Sequence, residues 1–197
     1  MSEPIRTFLA LPISDQVREY LEDIVAPLKA GDQISKMKWT SGAGRHITVS
    51  FLGDTAQDQF EALAGEFAQL CQSLPAFKLS LTDTGTFPHA NQPKVLWIGC
   101  EPHDTVLGEL KLGVDKILAK YGYEVDNRKF KPHITLGRVK YLSNQSNLVH
   151  DLLSRDVVDL SFQINRMVWY ESMLRPAGAE YRELESFDLK VEAHDGR

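Results

Sequence analysis

The sequence predicts an α+β fold in which two antiparallel β-sheets, with helices on their outer faces, flank a central groove. Three observations carry this reading. The phrase His46-Ile47-Thr48-Val49 recurs as His133-Ile134-Thr135-Leu136, 87 positions further on. Each copy lies in a β-forming run and follows a stretch with helical spacing, so an αβ unit is duplicated. Period-two and helical patterns also alternate without a long linker, so 1–190 reads as one folded unit and 191–197 as a polar tail.

In order along the chain, Arg6 to Leu11 reads as a first strand ended by Pro12. A helix follows, with Val17, Leu21, Ile24, Val25 and Leu28 on one face and Ser14 as its N-cap. The first motif strand runs from His46 to Leu52 and closes at Gly53. Asp54 with Gln57 resembles a capping box for a second helix carrying Phe60, Leu63, Ala64, Phe67 and Leu70. Strands at Phe77 to Phe87 and Lys94 to Gly99 bracket the turn-forming segment Pro88 to Pro93. A third helix is marked by Leu107, Leu110, Val114, Ile117 and Leu118. The second motif strand spans Pro132 to Lys140, and a short helix lies at Gln145 to Leu153. Strands at Val157 to Ile164, Met167 to Leu174 and Tyr181 to Leu189 close the fold, the last two joined by a Pro176-Ala177-Gly178 turn.

The 197 residues carry a net charge of −5 and 43% hydrophobic residues, as expected of a soluble globular protein rather than one that coats nucleic acid nonspecifically. No apolar stretch approaches a membrane span and no secretory signal pattern is present, so a cytoplasmic protein without membrane partners is expected. Two cysteines, Cys71 and Cys100, are too few for a disulfide framework or a four-cysteine metal site. A local basic patch is readable around the second motif, from Arg128, Lys129, Lys131, Arg138 and Lys140, with Arg45, Lys36 and Lys38 near the first. Of these, Lys36, Lys129 and Lys140 read as solvated surface.

In a strand, residues i and i+2 share a face, so His46 projects with Thr48 and His133 with Thr135, while the intervening Ile47 and Ile134 point into the core. One His-x-Thr is expected roughly a quarter of a time by chance in such a chain; two copies sharing the Ile are a different matter. His89, His103, His150 and His194 read as exposed. No close-spaced His or Cys pair suits zinc, and no Gly-x-Ser-x-Gly elbow or phosphate-binding Gly-Lys loop occurs. The His-x-His-x-His pattern of the histidine-triad hydrolases is absent, since Thr48 and Ser50 occupy those places.

Two imidazoles with ordinary pKa near 6.5 suit metal-free phosphoryl transfer: one neutral ring takes a proton from the nucleophile, one charged ring gives a proton to the leaving oxygen. Two threonine hydroxyls can hold the non-bridging phosphate oxygens. A five-membered cyclic phosphodiester fits such a site, because ring strain supplies activation.

His46-Ile47-Thr48-Val49-Ser50-Phe51-Leu52-Gly53 and Lys131-Pro132-His133-Ile134-Thr135-Leu136-Gly137-Arg138 resemble the paired His-x-Thr-x motifs of the two-histidine phosphoesterase superfamily. Arg6 to Ala10 and the segment from Tyr170 to Tyr181 resemble the opening strand and closing hairpin of its RNA 2′,3′-cyclic phosphodiesterase branch, also called 2′-5′ RNA ligase. The resemblance implies a bilobal fold with a pseudo-twofold axis through the cleft, and a monomer acting without cofactor on RNA ends or cyclic nucleotides. It implies that His46 is the proton donor to the leaving 3′ oxygen and His133 the proton acceptor from water, giving a 2′-phosphomonoester. An RNA 5′-hydroxyl in place of water would give a 2′-5′ linkage as a side activity. Thr48, Thr135 and Arg138 are the expected phosphate ligands, and Phe87 a candidate for stacking on a base. Arg138 lies an odd number of positions from His133, so it reaches the cleft only if the strand bulges or twists; otherwise it makes a structural ion pair. Alternatives are action on ADP-ribose cyclic phosphate or 2′-5′ oligoadenylate, and RNA-end binding without catalysis.

Overall fold

The computed structural model describes residues 3–102, 104–175 and 178–190. Its strands are β1 (Ile5–Pro12), β2 (Lys36–Trp39), β3 (His46–Thr55), β4 (Phe77–Phe87), β5 (Val95–Pro102), β6 (His133–Tyr141), β7 (Ser161–Ile164), β8 (Arg166–Arg175) and β9 (Gly178–Asp188). Its helices are α1 (Asp15–Gly31), α2 (Phe60–Ser73), α3 (Val106–Lys120) and α4 (Leu148–Leu153). No helix among the described residues is long and apolar enough to cross a membrane.

The strand order β7-β4-β5-β6-β3-β1-β8-β9 reads as a palindrome about the β6/β3 junction. β3 corresponds to β6, β1 to β5, β8 to β4 and β9 to β7. The two expected sheets are therefore the two halves of one antiparallel, curled sheet. They meet through a single residue pair, Ile47 with Ile134, both fully buried. The half β7-β4-β5-β6 is built from consecutive strands, whereas the other joins β1 and β3 to β8 and β9 from the far end of the chain: β4 leaves the first αβ unit to complete one half, and β8 returns from the second unit to complete the other. α2 packs on α3 and β9, α3 also on β3, and α4 on β4 and α1, so each half has its own helix pair. The core lies between the sheet and these helices, built from alternating strand residues such as Leu9, Leu11, Leu79 and Leu96 and helix stripes such as Val17, Leu21, Leu63 and Phe67.

Most expected elements are present, with shifted ends. Ser14 caps α1, its hydroxyl accepting from the Val17 backbone N–H at 3.3 Å. The expected capping box at Asp54 and Gln57 does not form. β3 continues to Thr55, so Asp54 is a strand residue paired with Arg6, and the Gln57 side chain donates to the Glu3 carbonyl. Gly53, at φ +74°, absorbs an irregularity that would stop another residue, which is why the strand passes through the position expected to end it. α4 and β7 are shorter than their patterns suggest. β2 has no counterpart among the expected strands: Lys-Met-Lys-Trp alternates polar and apolar residues over only four positions, and pairing with β6 defines it. The turn at Pro176-Ala177 and the tail 191–197 lie outside the described residues.

Candidate active site

The Ile47–Ile134 pair is the pivot of the site. Each isoleucine buries its side chain on the helix side, so its two neighbours face the other way, into the groove. Antiparallel pairing about that one contact sets His46 toward Thr135 and Thr48 toward His133. Four groups from two distant copies of one phrase thus meet around the axis.

The two rings are held alike. His133 Nδ1 lies 2.8 Å from the Lys131 carbonyl, two residues back. A carbonyl oxygen can only accept, so Nδ1 carries the proton of the neutral ring and Nε2 is left as acceptor. The His46 ring is hydrogen-bonded to the backbone of Gly44, at the same offset. Burial pushes the His46 pKa down to about 4; the Gly44 bond opposes this, and the positive fields of His133 and Arg138 add to it. His133 is also lowered by burial, against the Lys131 carbonyl bond and with the charges of Arg138 and Lys131. In the unliganded site both rings are neutral near pH 7.

Arg138 reaches the groove because β6 bulges. Against β5, Thr135 pairs with Trp97 and Gly137 with Leu96, so Leu136 is an extra residue. The buried pair Leu136-Gly137 breaks the alternation; Val139 then packs toward the core and Arg138 turns outward, on the face of His133. Its charge is felt by both histidines. Among the described residues it makes no ion pair. β3 carries the equivalent bulge at Val49, between the pairs Ala10–Thr48 and Leu9–Ser50. Phe51, the counterpart of Arg138, is turned to the same face and remains 59% exposed beside Phe8.

Phe87 is half-buried at the groove. Its ring stands edge-on to His133 at 4.9 Å and tilts against Trp97 at 5.1 Å, forming the wall that backs the imidazole. Trp97 lies across Gly85, where an added Cβ would come within 2.1 Å of the indole. His46 has its own wall, which sequence reasoning missed: Phe8 at 4.9 Å, Tyr181 at 5.3 Å and Tyr170 at 6.1 Å between ring centroids. These residues come from β1, β8 and β9, and only the strand order brings them together.

The basic patch is also smaller than expected. Arg45 is fully buried, 3.0 Å from Glu22 of α1, with its pKa lowered by burial. Arg128 is bound to Asp126 at 2.6 Å. Lys131 sits 3.9 Å above the Trp97 ring and 3.6 Å from Asp83. His89 and His150 are exposed, as expected, while His103 and His194 lie outside the described residues. Depressions of about 560 and 470 Å³ lie around Tyr121 and Tyr123 and around Lys111 and Phe130, and neither contains a catalytic candidate. No cluster of three or more metal-ligating side chains occurs among the described residues.

The sequence profile of the 2′-5′ RNA ligase superfamily matches residues 37–173, a span that includes both motifs. The chain belongs to the 2′-5′ RNA ligase superfamily. Among its relatives within that superfamily is the RNA 2′,3′-cyclic phosphodiesterase of Thermotoga maritima, 29% identical over 91% of this chain and 93% of its own. The protein of that name from Methanocaldococcus jannaschii is 30% identical over 90% and 96%. The superfamily fold is also seen in the solved structure of a Thermus thermophilus protein, with a TM-score of 0.81 at 23% identity over 96% of this chain and 100% of the other. E. coli LigT complexed with 3′-AMP superposes with a TM-score of 0.76 at 23% identity, covering 94% and 98%.

Proposed function

We propose that the protein hydrolyses RNA or nucleoside 2′,3′-cyclic phosphate ends to 2′-phosphomonoesters, using His46 and His133 as a metal-free acid–base pair. The observation that carries this reading is the placing of two imidazoles and two threonine hydroxyls around the buried Ile47–Ile134 contact. The naming of its relatives as RNA 2′,3′-cyclic phosphodiesterases supports the substrate class.

In this mechanism Thr48, Thr135 and Arg138 hold the non-bridging oxygens of the cyclic phosphate between the rings. Water attacks phosphorus in line with the P–O3′ bond. As the new P–O bond forms, its proton passes to Nε2 of His133, the nitrogen that the Lys131 carbonyl leaves as acceptor. The P–O3′ bond breaks and His46 delivers a proton to the departing oxygen. The phosphate remains on O2′. Near pH 7 the unliganded His46 has no such proton to give, so the proton is taken up with the substrate: an anion beside the ring offsets the burial that disfavours the imidazolium. Replacing water by an RNA 5′-hydroxyl gives a 2′-5′ phosphodiester by the same steps, without ATP.

The test is a panel of 2′,3′-cyclic nucleotides, RNA with cyclic phosphate ends, ADP-ribose cyclic phosphate and 2′-5′ oligoadenylate, assayed with EDTA present. The expected result is hydrolysis of the 2′,3′-cyclic substrates with phosphorus NMR showing a 2′-phosphate. A 3′-phosphate product would reverse the histidine roles. Loss of activity in EDTA, restored by zinc or magnesium, would refute the mechanism. Binding of RNA ends without turnover would identify a non-catalytic protein.

A further inference from the structure

We propose that Lys38 binds the phosphate immediately 5′ of the cyclic one, so that the protein selects polynucleotide ends over single nucleotides. This rests on the function proposed above. Lys38 of β2 and Arg138 of β6 are register partners, and directly paired residues on neighbouring strands share a face. Arg138 faces the groove, so Lys38 does too, one strand spacing of about 5 Å from Arg138, on the edge of β6 that also carries β3 and His46. Trp39, one position on, lies against Gly137 on the opposite face, as alternation requires.

Like charges directly opposite each other destabilise a strand pair. The neighbouring cations Arg45, Arg128 and Lys131 have carboxylates close by, and among the described residues neither Lys38 nor Arg138 has one within 4 Å. Guarding an exposed strand edge does not account for the lysine. A glutamate at 38 would guard the edge equally well and would pair with Arg138 instead of repelling it. An anion bound across the two residues removes the repulsion. With Arg138 on the cyclic phosphate, Lys38, one strand spacing of about 5 Å away, is left for the next phosphate of the same strand. A nucleoside cyclic phosphate has no such group.

The experiment compares kcat/KM for a triadenylate ending in a 2′,3′-cyclic phosphate with that for adenosine 2′,3′-cyclic phosphate. Wild type should prefer the trinucleotide. Lys38→Gln should cut the ratio of the two values about tenfold, chiefly through KM. It should also flatten the salt dependence for the trinucleotide by about one phosphate contact, and Lys38→Arg should restore both. Relief of the like-charge pair predicts a Tm for Lys38→Gln no lower than wild type, so misfolding is not the cause of the change. An unchanged ratio in Lys38→Gln would overturn the assignment while leaving the phosphodiesterase reading intact. Absence of hydrolysis of either substrate by wild type would remove both.

Discussion

Burial of His46 makes the stability of this protein depend on pH in a defined window. The folded ring titrates at about 4 against an ordinary value of 6.5. Below pH 6.5 the unfolded chain therefore binds a proton that the folded protein refuses, and linkage requires stability to fall as the pH falls. The loss begins near 6.5, grows down to about 4 and then levels off. Worked through for this single site, it amounts to about 2 kcal/mol at pH 5 and about 3 kcal/mol at full extent. His133, also lowered, adds in the same direction. The perturbation that isolates His46 is His46→Gln, which keeps a polar side chain in the groove and cannot titrate. Urea unfolding of both proteins at pH 7 and pH 5 gives four free energies. Wild type should lose about 2 kcal/mol more than the variant between the two pH values, the other titrating groups cancelling in the difference. Parallel losses in the two proteins would refute the reasoning and mean that the His46 ring is solvated enough to charge freely. An NMR titration of the ring should agree, with its midpoint well below 6. Bound phosphate should move that midpoint upward, as the donor role demands.

Three other outcomes follow from the same geometry. His46→Ala and His133→Ala should each lower turnover by about 10²- to 10⁴-fold with the fold intact by circular dichroism, and near-wild-type turnover in either would remove the two-histidine mechanism. Arg138→Ala should weaken substrate binding and raise the pKa of both histidines, because it withdraws a positive charge felt by each ring; unchanged NMR titration curves would show that the guanidinium points elsewhere. Gly85→Ala should cost about 1–3 kcal/mol in chemical denaturation, since a Cβ there meets the Trp97 indole, and should disturb the wall behind His133; a neutral effect would show that Trp97 can move freely.

The catalytic candidates are legible in the sequence because strand periodicity is local: once His46-Ile47-Thr48 is a strand, its histidine and threonine must share a face opposite the buried isoleucine. Helix positions are legible for the same reason, from stripes such as Val17, Leu21 and Leu28 against a core. What surrounds these groups comes from tertiary contacts. The bulge at Leu136 is created by pairing with β5, and without that pairing Arg138 would point away from the groove. β2 alternates over only four residues, too few to announce a strand, and exists because β6 offers a free edge, which in turn sets Lys38 beside Arg138. The aromatic wall of His46 joins residues 8, 170 and 181, and the burial of Arg45 depends on where α1 crosses. The pKa of His46 likewise depends on desolvation by chain that is remote in sequence. Side-chain facing is set within a few residues, whereas register, strand neighbours and burial are set by contacts that close only when the two halves of the sheet meet at Ile47 and Ile134.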